Sequence, residues 1–499
     1  MCFFLEFYAQ ERLRFKPIVF ESGTYLKKGT YGLNNNTFSA SYHIDHPSFL
    51  KAYRDLGSPT IRYPGGTVAN YINLKTGKAK AWENASAKSQ LRVKNLNRSI
   101  QRNGKRYGAS ELKSFIKFAK NYDVNTTFVL NISSMSLKDT DFVLQKIFKA
   151  GVSLKCVELG NELYFGTYKD VVKNVDGYLT LAKERSLLVK TYFPNAKIGV
   201  LLPSHVYTHE SFLDEVEDST DRQINWYKAL QKETFYDALV LHLYATNGMN
   251  FKTPKKEFLD YKDSYRFSIS HADGKYKSTM QAIDKDFPNK EVWLTEYHVG
   301  GFGGAVRFYR LRYSYLGALF ASNFMMKLFA SPQVSIGSWH SMVQMLRYPK
   351  TVGKQLDKNA TFKKTVNYHF FKAFKTPVKN STHFVEAHVS NAKGYKGVGK
   401  YTAQYSDVET GVFYNPKTGK CYVMLFNKWE NTYNVERSNI EFAIDGHIQN
   451  SFTILPDTNL DYSTALCSET TFSRVFSSQR TDTFAIPPFS MTIIECQRN

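Results

Sequence analysis

A chain of 499 residues, 42% of them hydrophobic, exceeds a single simple domain and can bury a large core, so two domains are the natural reading. Against 44 Asp and Glu stand 66 Lys and Arg, a formal charge of +22 that attracts polyanions: nucleic acid, anionic lipid or acidic polysaccharide. The five cysteines include no CxxC pair, which argues against a zinc ribbon or redox motif, and no run of about 18 apolar residues is present to span a membrane.

The first residues, "MCFFLEFYAQERLRF", read as the tail of a secretory signal. A short apolar run ends at Tyr8-Ala9-Gln10, with cleavage expected after Ala9. Residues 1–10 are therefore read as a truncated signal, from which a secreted, periplasmic or cell-surface location would follow; an ordinary N-terminal strand is the alternative, since Glu6 interrupts the apolar run and a basic n-region is missing. Residues 11–27 are expected to supply a strand to a later β-domain.

From residue 28 to 375, apolar strands alternate with amphipathic helical stretches. Strands are expected at 29–34, 59–65, 125–133, 155–161, 197–203, 237–245, 291–298 and 334–342. Helices are expected between them, for example at 48–57, 111–122, 176–193 and 308–330. Eight strands with intervening helices predict an α/β fold of the (β/α)8 TIM-barrel type. A doubly wound open sheet is the alternative, but no GxGxxG follows the first strand. From 376 to 499 the texture becomes short strands separated by turn residues, which predicts a C-terminal β-sandwich. Cys156, inside the fourth strand, reads as a core thiol. Cys421, Cys467 and Cys496 could hold one disulfide of open pairing.

Two strands end unusually. "SLKCVELGNELYFGTY" (153–168) runs from a buried strand into Gly160-Asn161-Glu162, and "EVWLTEYHVGG" (291–301) ends on Glu296, followed by Tyr297 and His298, two candidate substrate contacts. One strand-end glutamate is ordinarily half of a salt bridge. Two of them, each beside polar partners and on the face where barrel active sites form, are a different matter. Paired carboxylates flanking a bond are the requirement of glycoside hydrolysis: one protonates the leaving oxygen, the other attacks the anomeric carbon or activates water. Asn161 can bond a sugar hydroxyl while fixing its neighbour. The chemistry requires Glu162 to arrive protonated and Glu296 ionised.

"ELGNEL" on the fourth strand and "WLTEY" on the seventh resemble the acid/base and nucleophile motifs of the clan A glycoside hydrolases. "RYPGGTVANYI" (62–72), after "PSFLKAYRDLG", is similar to the second-strand region of the heparanase and β-glucuronidase family and of α-L-arabinofuranosidases. The ending "PPFSMTIIE" fits the same group. Leu163 departs from it, standing where many members carry Pro. The resemblance implies that Glu162 is the acid/base and Glu296 the nucleophile of a retaining reaction, with Arg62 orienting or charge-stabilising the nucleophile. It also implies that His242 and Tyr244 lie beside the nucleophile, that Trp339 and His340 form a sugar platform, and that Asn131 contributes from the end of strand 3. No metal or cofactor is implied.

Residues 88–106 hold seven Lys/Arg and no acid, and residues 347–364 hold six Lys/Arg and one Asp. They follow strands 2 and 8, which flank strand 1 in a closed barrel, so both are expected to overhang one side of the mouth. The leading expectation is thus a retaining hydrolase of an anionic, sulfated or uronate-bearing polysaccharide or its oligosaccharides. Alternatives are a hydrolase of neutral sugars, of arabinofuranosidase or xylosidase type, and a non-catalytic carbohydrate-binding protein. No nucleic-acid motif accompanies the basic runs, so nucleic acid is not expected as a partner.

Overall fold

The computed structural model describes residues 11–35, 44–107, 111–122, 124–203, 217–245, 261–299, 311–347, 361–398, 403–457, 472–477 and 482–499. Side chains of 102–107 and 217–220, and of residues 261 and 477, lie outside that description, as do residues 1–10, on which the signal reading falls.

Eight parallel strands close into a barrel: β1 (Gly32–Asn34), β2 (Thr60–Tyr63), β3 (Thr126–Leu130), β4 (Cys156–Leu159), β5 (Lys197–Leu201), β6 (Ala238–Ala245), β7 (Glu291–Val299) and β8 (Val334–His340). β5 pairs with β6 and β8 with β1, so no edge is left open. Strands covered on both faces do not need to alternate apolar with polar residues, and all five residues of β3, two threonines followed by Phe128, Val129 and Leu130, are buried. The helices carry their own start signals. Ser136 Oγ accepts from Asp139 N at the head of the helix Leu137–Lys149, and Asn174 Oδ1 accepts from Gly177 N at the head of the helix Val175–Tyr192. The helix expected over 308–330 begins at Tyr315 and runs to Ala330, because Ser314 caps it by accepting from Gly317 N.

The second layer system is a sandwich. One sheet has the order 24–25, 383–387, 408–414, 420–427, 490–498, 446–456, 472–477; the other has 389–390, 11–15, 433–436, 483–486. The strand Glu11–Phe15 lies parallel to Tyr433–Glu436, with Leu13 opposite Val435. Leu13, Val412, Val423, Val435, Ile486 and Ile494 fill the space between the sheets. Cys421 and Cys496 face each other across two of these strands as buried free thiols.

Barrel and sandwich meet through aromatic rings, such as Phe329 edge-on to Phe413, and through a closed square of charge. Lys327 bonds Asp273 (2.7 Å) and Glu409 (2.6 Å); Lys428 bonds the same two carboxylates at 2.9 and 3.2 Å. Asp273 lies on a π-turn, Ala272–Tyr276, and also accepts from Tyr395 Oη. Burial alone would raise the Asp273 pKa, but the two ammonium groups outweigh it and hold it below the usual carboxylate range. A depressed folded-state pKa contributes stability above the unfolded value and loses it as pH falls through the folded one. The Asp273 carboxylate therefore stays ionised between the two ammonium groups below the pH at which an ordinary aspartate is protonated. Asp273→Ala leaves two buried ammonium groups sharing one carboxylate and is expected to cost about 3–5 kcal/mol in urea unfolding. An unchanged midpoint would show that the square holds nothing together.

Candidate active site

The turn after β4 is built around Gly160. Its φ is +89°, and a Cβ there would lie 2.8 Å from Leu163 Cδ1 and 3.3 Å from Ile132 Cγ1. Asn161 is then gripped by Asn70, whose Nδ2 donates to Asn161 O (2.6 Å) and whose Oδ1 accepts from Asn161 N (3.0 Å). Glu162 follows in the left-handed region at φ +50°, which a side-chain-bearing residue rarely adopts and which functional sites retain. The result is a carboxylate on a clamped turn, its side chain 20% exposed, with Oε1 bonded to His242 Nδ1 at 3.0 Å.

Glu296 sits differently, almost wholly buried on β7. Oε1 accepts from Arg62 Nη1 at 2.6 Å and Oε2 from Tyr244 Oη at 2.5 Å. A bulge sets this up. The β6–β7 register pairs Leu241 with Leu294 but His242 with Glu296, so Thr295 is the extra residue. Bulges re-aim side chains beside active sites. Here Thr295 Oγ1 meets His242 Nε2 at 3.2 Å, while Nδ1 of the same ring reaches Glu162. His340, at the end of β8, lies 3.6 Å from Glu296 Oε2, and its Nδ1 accepts from Asn34 Nδ2 (2.6 Å). Gly65 makes room for that amide, since a Cβ there would fall 1.6 Å from Asn34 Oδ1.

Beneath them Arg62 is fully buried. Nε and Nη2 fork onto Glu158 at 2.8–3.1 Å, Nη2 also reaches Asn161 Oδ1 (2.9 Å), and Nη1 holds Glu296. Burial would lower the Arg62 pKa, but Glu158 and Glu296 raise it, so the guanidinium is permanently charged. Burial would likewise raise the Glu296 pKa. The cationic neighbours, His242 and Arg62, and the Tyr244 bond hold it well below the usual range. His340 contributes no charge at neutral pH, because desolvation pushes its own pKa down to about 3. Desolvation also works against a charged His242, yet Glu296 and the bond to Glu162 outweigh it and raise its pKa.

Arg62, Asn161, Glu162, His242, Tyr244, Glu296 and His340 thus converge. Four other expected residues do not face the same space. Trp339 is fully buried, its ring against Phe371 of an outer helix (Val366–Ala373), so it is core rather than a sugar platform. Tyr297 packs on Phe324 behind β7, and His298 lies against Trp339. Alternation along a strand sends Tyr297 and Trp339, the neighbours of inward Glu296 and His340, to the helix layer, whereas His298, two residues after Glu296, is taken up by its contact with Trp339 and by Val299 N, which donates to its Nδ1. Asn131 is consumed by its own loop: Nδ2 bonds Ile72 O and Ser134 Oγ, and Oδ1 accepts from Ser133 N and Ser134 N. The sequence does not single out Glu158, Asn70, Asn34 or Thr295. Only Glu158 leaves a signal there, as a charge inside an otherwise apolar strand.

Glu162, His242 and Glu296 offer three donor atoms within 4.8 Å of one another, a spacing that suits a cation. Both Glu296 oxygens are already committed, however, and the buried guanidinium 2.6 Å away repels a second positive charge. The carboxylates are better explained by organic chemistry than by metal ligation.

No family model and no curated protein matches the sequence. Solved structures do match the fold. An arabinofuranosidase of glycoside hydrolase family 51 from Xanthomonas axonopodis pv. citri aligns with TM-score 0.66 at 14% identity, covering 98% of this chain and 100% of its own. A family 51 α-L-arabinofuranosidase from Bifidobacterium longum gives 0.67 at 11% identity over the same shares. A family 44 xyloglucanase from Paenibacillus polymyxa gives 0.57 at 11%, again covering 98% and 100%. Likeness at this identity establishes the barrel-plus-sandwich fold.

The two imidazoles should be distinguishable in solution. A nitrogen-NMR pH titration is expected to place the His242 pKa above that of a free imidazole and to show His340 neutral at pH 7 with its proton on Nε2. Glu296→Gln removes the charge that favours the imidazolium, so the His242 pKa should fall. A His242 pKa at or below that of a free imidazole in the unmutated protein, or no fall in the variant, would contradict this electrostatic picture.

Proposed function

We propose that the chain is a retaining glycoside hydrolase acting on neutral sugars of the α-L-arabinofuranoside type. The observation that carries the reading is the carboxylate pair. One oxygen of Glu162 and one of Glu296 lie within 4.8 Å of each other, an approach in keeping with the about 5–5.5 Å between carboxyl groups of retaining enzymes rather than the about 6.5–9.5 Å that leaves room for an inverting water. Their settings differ as the two roles require. Glu296 is buried, pinned by Arg62 and Tyr244 and stabilised as an anion, which suits the nucleophile. Glu162 has solvent access and no arginine among its hydrogen-bond partners in the described residues, which suits a group that gives and takes a proton.

In the first step a Glu296 oxygen bonds to the anomeric carbon as the glycosidic C–O bond breaks. The departing oxygen takes the proton from Glu162. In the second, Glu162 removes a proton from water, whose oxygen attacks the anomeric carbon and releases Glu296 as carboxylate. His242 fixes Glu162 Oε1 and leaves Oε2 to carry the transferred proton. Asn161 Nδ2, buried without a partner among the described residues, is placed to donate to a hydroxyl of the bound sugar.

A neutral sugar fits better than an anionic one. Arg62 Nε, Nη1 and Nη2 all bond to protein oxygens, so it presents no fork to a substrate carboxylate or sulfate. Of the basic run at 88–106, Lys88, Arg92, Lys94 and Arg98 are spread along one long helix, Ala87–Tyr107, in the manner of a solvated face. Most of 347–364 lies outside the described residues, as do the side chains of Arg102 and Arg106. Lys364 turns away from the mouth to Asp55, at the end of the helix Pro47–Asp55 that leads into the start of β2. The arabinofuranosidases that share this fold make the arabinofuranoside the first sugar to test.

With an aryl α-L-arabinofuranoside, Glu162→Gln and Glu296→Gln should each lose about 10²–10⁴-fold or more in turnover while staying folded. Azide should restore Glu296→Gly by replacing the missing nucleophile. Near-normal activity in either glutamine variant would sink the role assignment. Turnover of aryl β-glucuronides or sulfated polymers in preference to arabinofuranosides, with KM rising steeply as salt is added, would return the substrate to the anionic class.

A further inference from the structure

Arg62 carries two carboxylates, and only one of them reacts. Glu296 holds Nη1; Glu158 holds the opposite edge of the guanidinium through Nε and Nη2. Both Arg62 and Glu158 side chains are wholly buried, so neither charge has water to fall back on. Glu158 lies on β4, four residues before Glu162 and two strands from Arg62, with β3 between. Its side chain is wholly enclosed by protein and so is closed to a substrate that Glu162 and Glu296 flank.

Resting on the glycosidase reading, we infer that Glu158 is a positioning residue: a permanent counter-ion that keeps Arg62 neutralised while Glu296 is tied up as the covalent ester. In the first step the Glu296 oxygen–carbon bond forms, the glycosidic bond breaks, and the leaving oxygen takes the proton from Glu162. The negative charge therefore moves from Glu296 to Glu162. The anion 2.6 Å from Arg62 Nη1 disappears. A buried guanidinium left without a partner is strongly disfavoured. The bidentate Glu158 fork prevents that, because it is charge-assisted, planar and untouched by the reaction. It also divides the pull of Arg62 between two anions, so Glu296 is fixed in place without being locked to a single cation.

The consequence is directional. Removing the charge of Glu158 leaves Arg62 dependent on the anion that the first step consumes. Ester formation should slow. Ester hydrolysis, which returns that anion, should not. A residue that only braces the barrel would slow both steps together.

Glu158→Gln keeps the shape of the side chain and removes its charge; Glu158→Asp keeps the charge. The two steps can be read separately with a 2-deoxy-2-fluoro-arabinofuranosyl fluoride, first as the rate of labelling at Glu296 and then as the rate of reactivation in buffer. In Glu158→Gln, labelling should fall about tenfold or more while reactivation stays level or rises; Glu158→Asp should restore labelling towards wild type. Equal changes in both rates, or unchanged labelling, would overturn the inference while leaving the glycosidase reading intact. Failure of the wild-type protein to be labelled at Glu296 would instead overturn that reading. If Glu158→Gln does not fold, the wild-type protein still decides. Its thermal midpoint when trapped as the ester should equal or exceed that of its complex with free arabinose. A drop of several degrees would mean that Arg62 had relied on Glu296 alone.

Discussion

A single buried guanidinium organises this molecule's functional end. Arg62 reaches Glu158 on β4, Asn161 on the turn after it and Glu296 on β7, so one side chain from β2 ties together three points around the barrel. A cation without solvent must be matched by anions at close range. That need fixes where Glu158, Glu296 and the Asn161 amide stand. The closed barrel supplies the rigidity, and its interior excludes the water that would weaken each contact.

Around that anchor, the two strand-end carboxylates are made unequal by their supports. Glu296 receives a guanidinium and a phenol; Glu162 receives an imidazole and solvent. The inequality originates in local backbone features. The Thr295 bulge turns Glu296 and His242 towards each other, and Gly160 allows the tight turn that places Glu162 in the left-handed region. His242 touches both carboxylates' surroundings and joins the pair into one electrostatic unit, whereas His340 stays neutral and serves as an oriented dipole beside Glu296.

Period and strand-end chemistry are enough to read the architecture and the glutamate pair, because a barrel repeats one pattern eight times and places its strand ends together. Which side of a strand each neighbour faces is harder. Trp339 and Tyr297 look like sugar contacts beside His340 and Glu296, yet alternation sends them to the helix layer, where Phe371 and Phe324 cover them. Asn131 has a strand-end position but spends its hydrogen bonds on residues 133 and 134 and on Ile72. Glu158 is hidden by an apolar strand, and Asn70 by a loop whose fold no periodicity describes. Basic runs mark charge without direction: Lys364 reaches a helix end, not the mouth.

Double displacement at Glu296 is the central claim, and product stereochemistry tests it most directly. In aqueous methanol, proton NMR of the methyl glycoside first formed from an aryl α-L-arabinofuranoside reports the outcome before any mutarotation. Two inversions at one carbon predict the α-anomer, with configuration retained. A β-methyl glycoside would mean direct displacement by the acceptor and would contradict the roles of both glutamates.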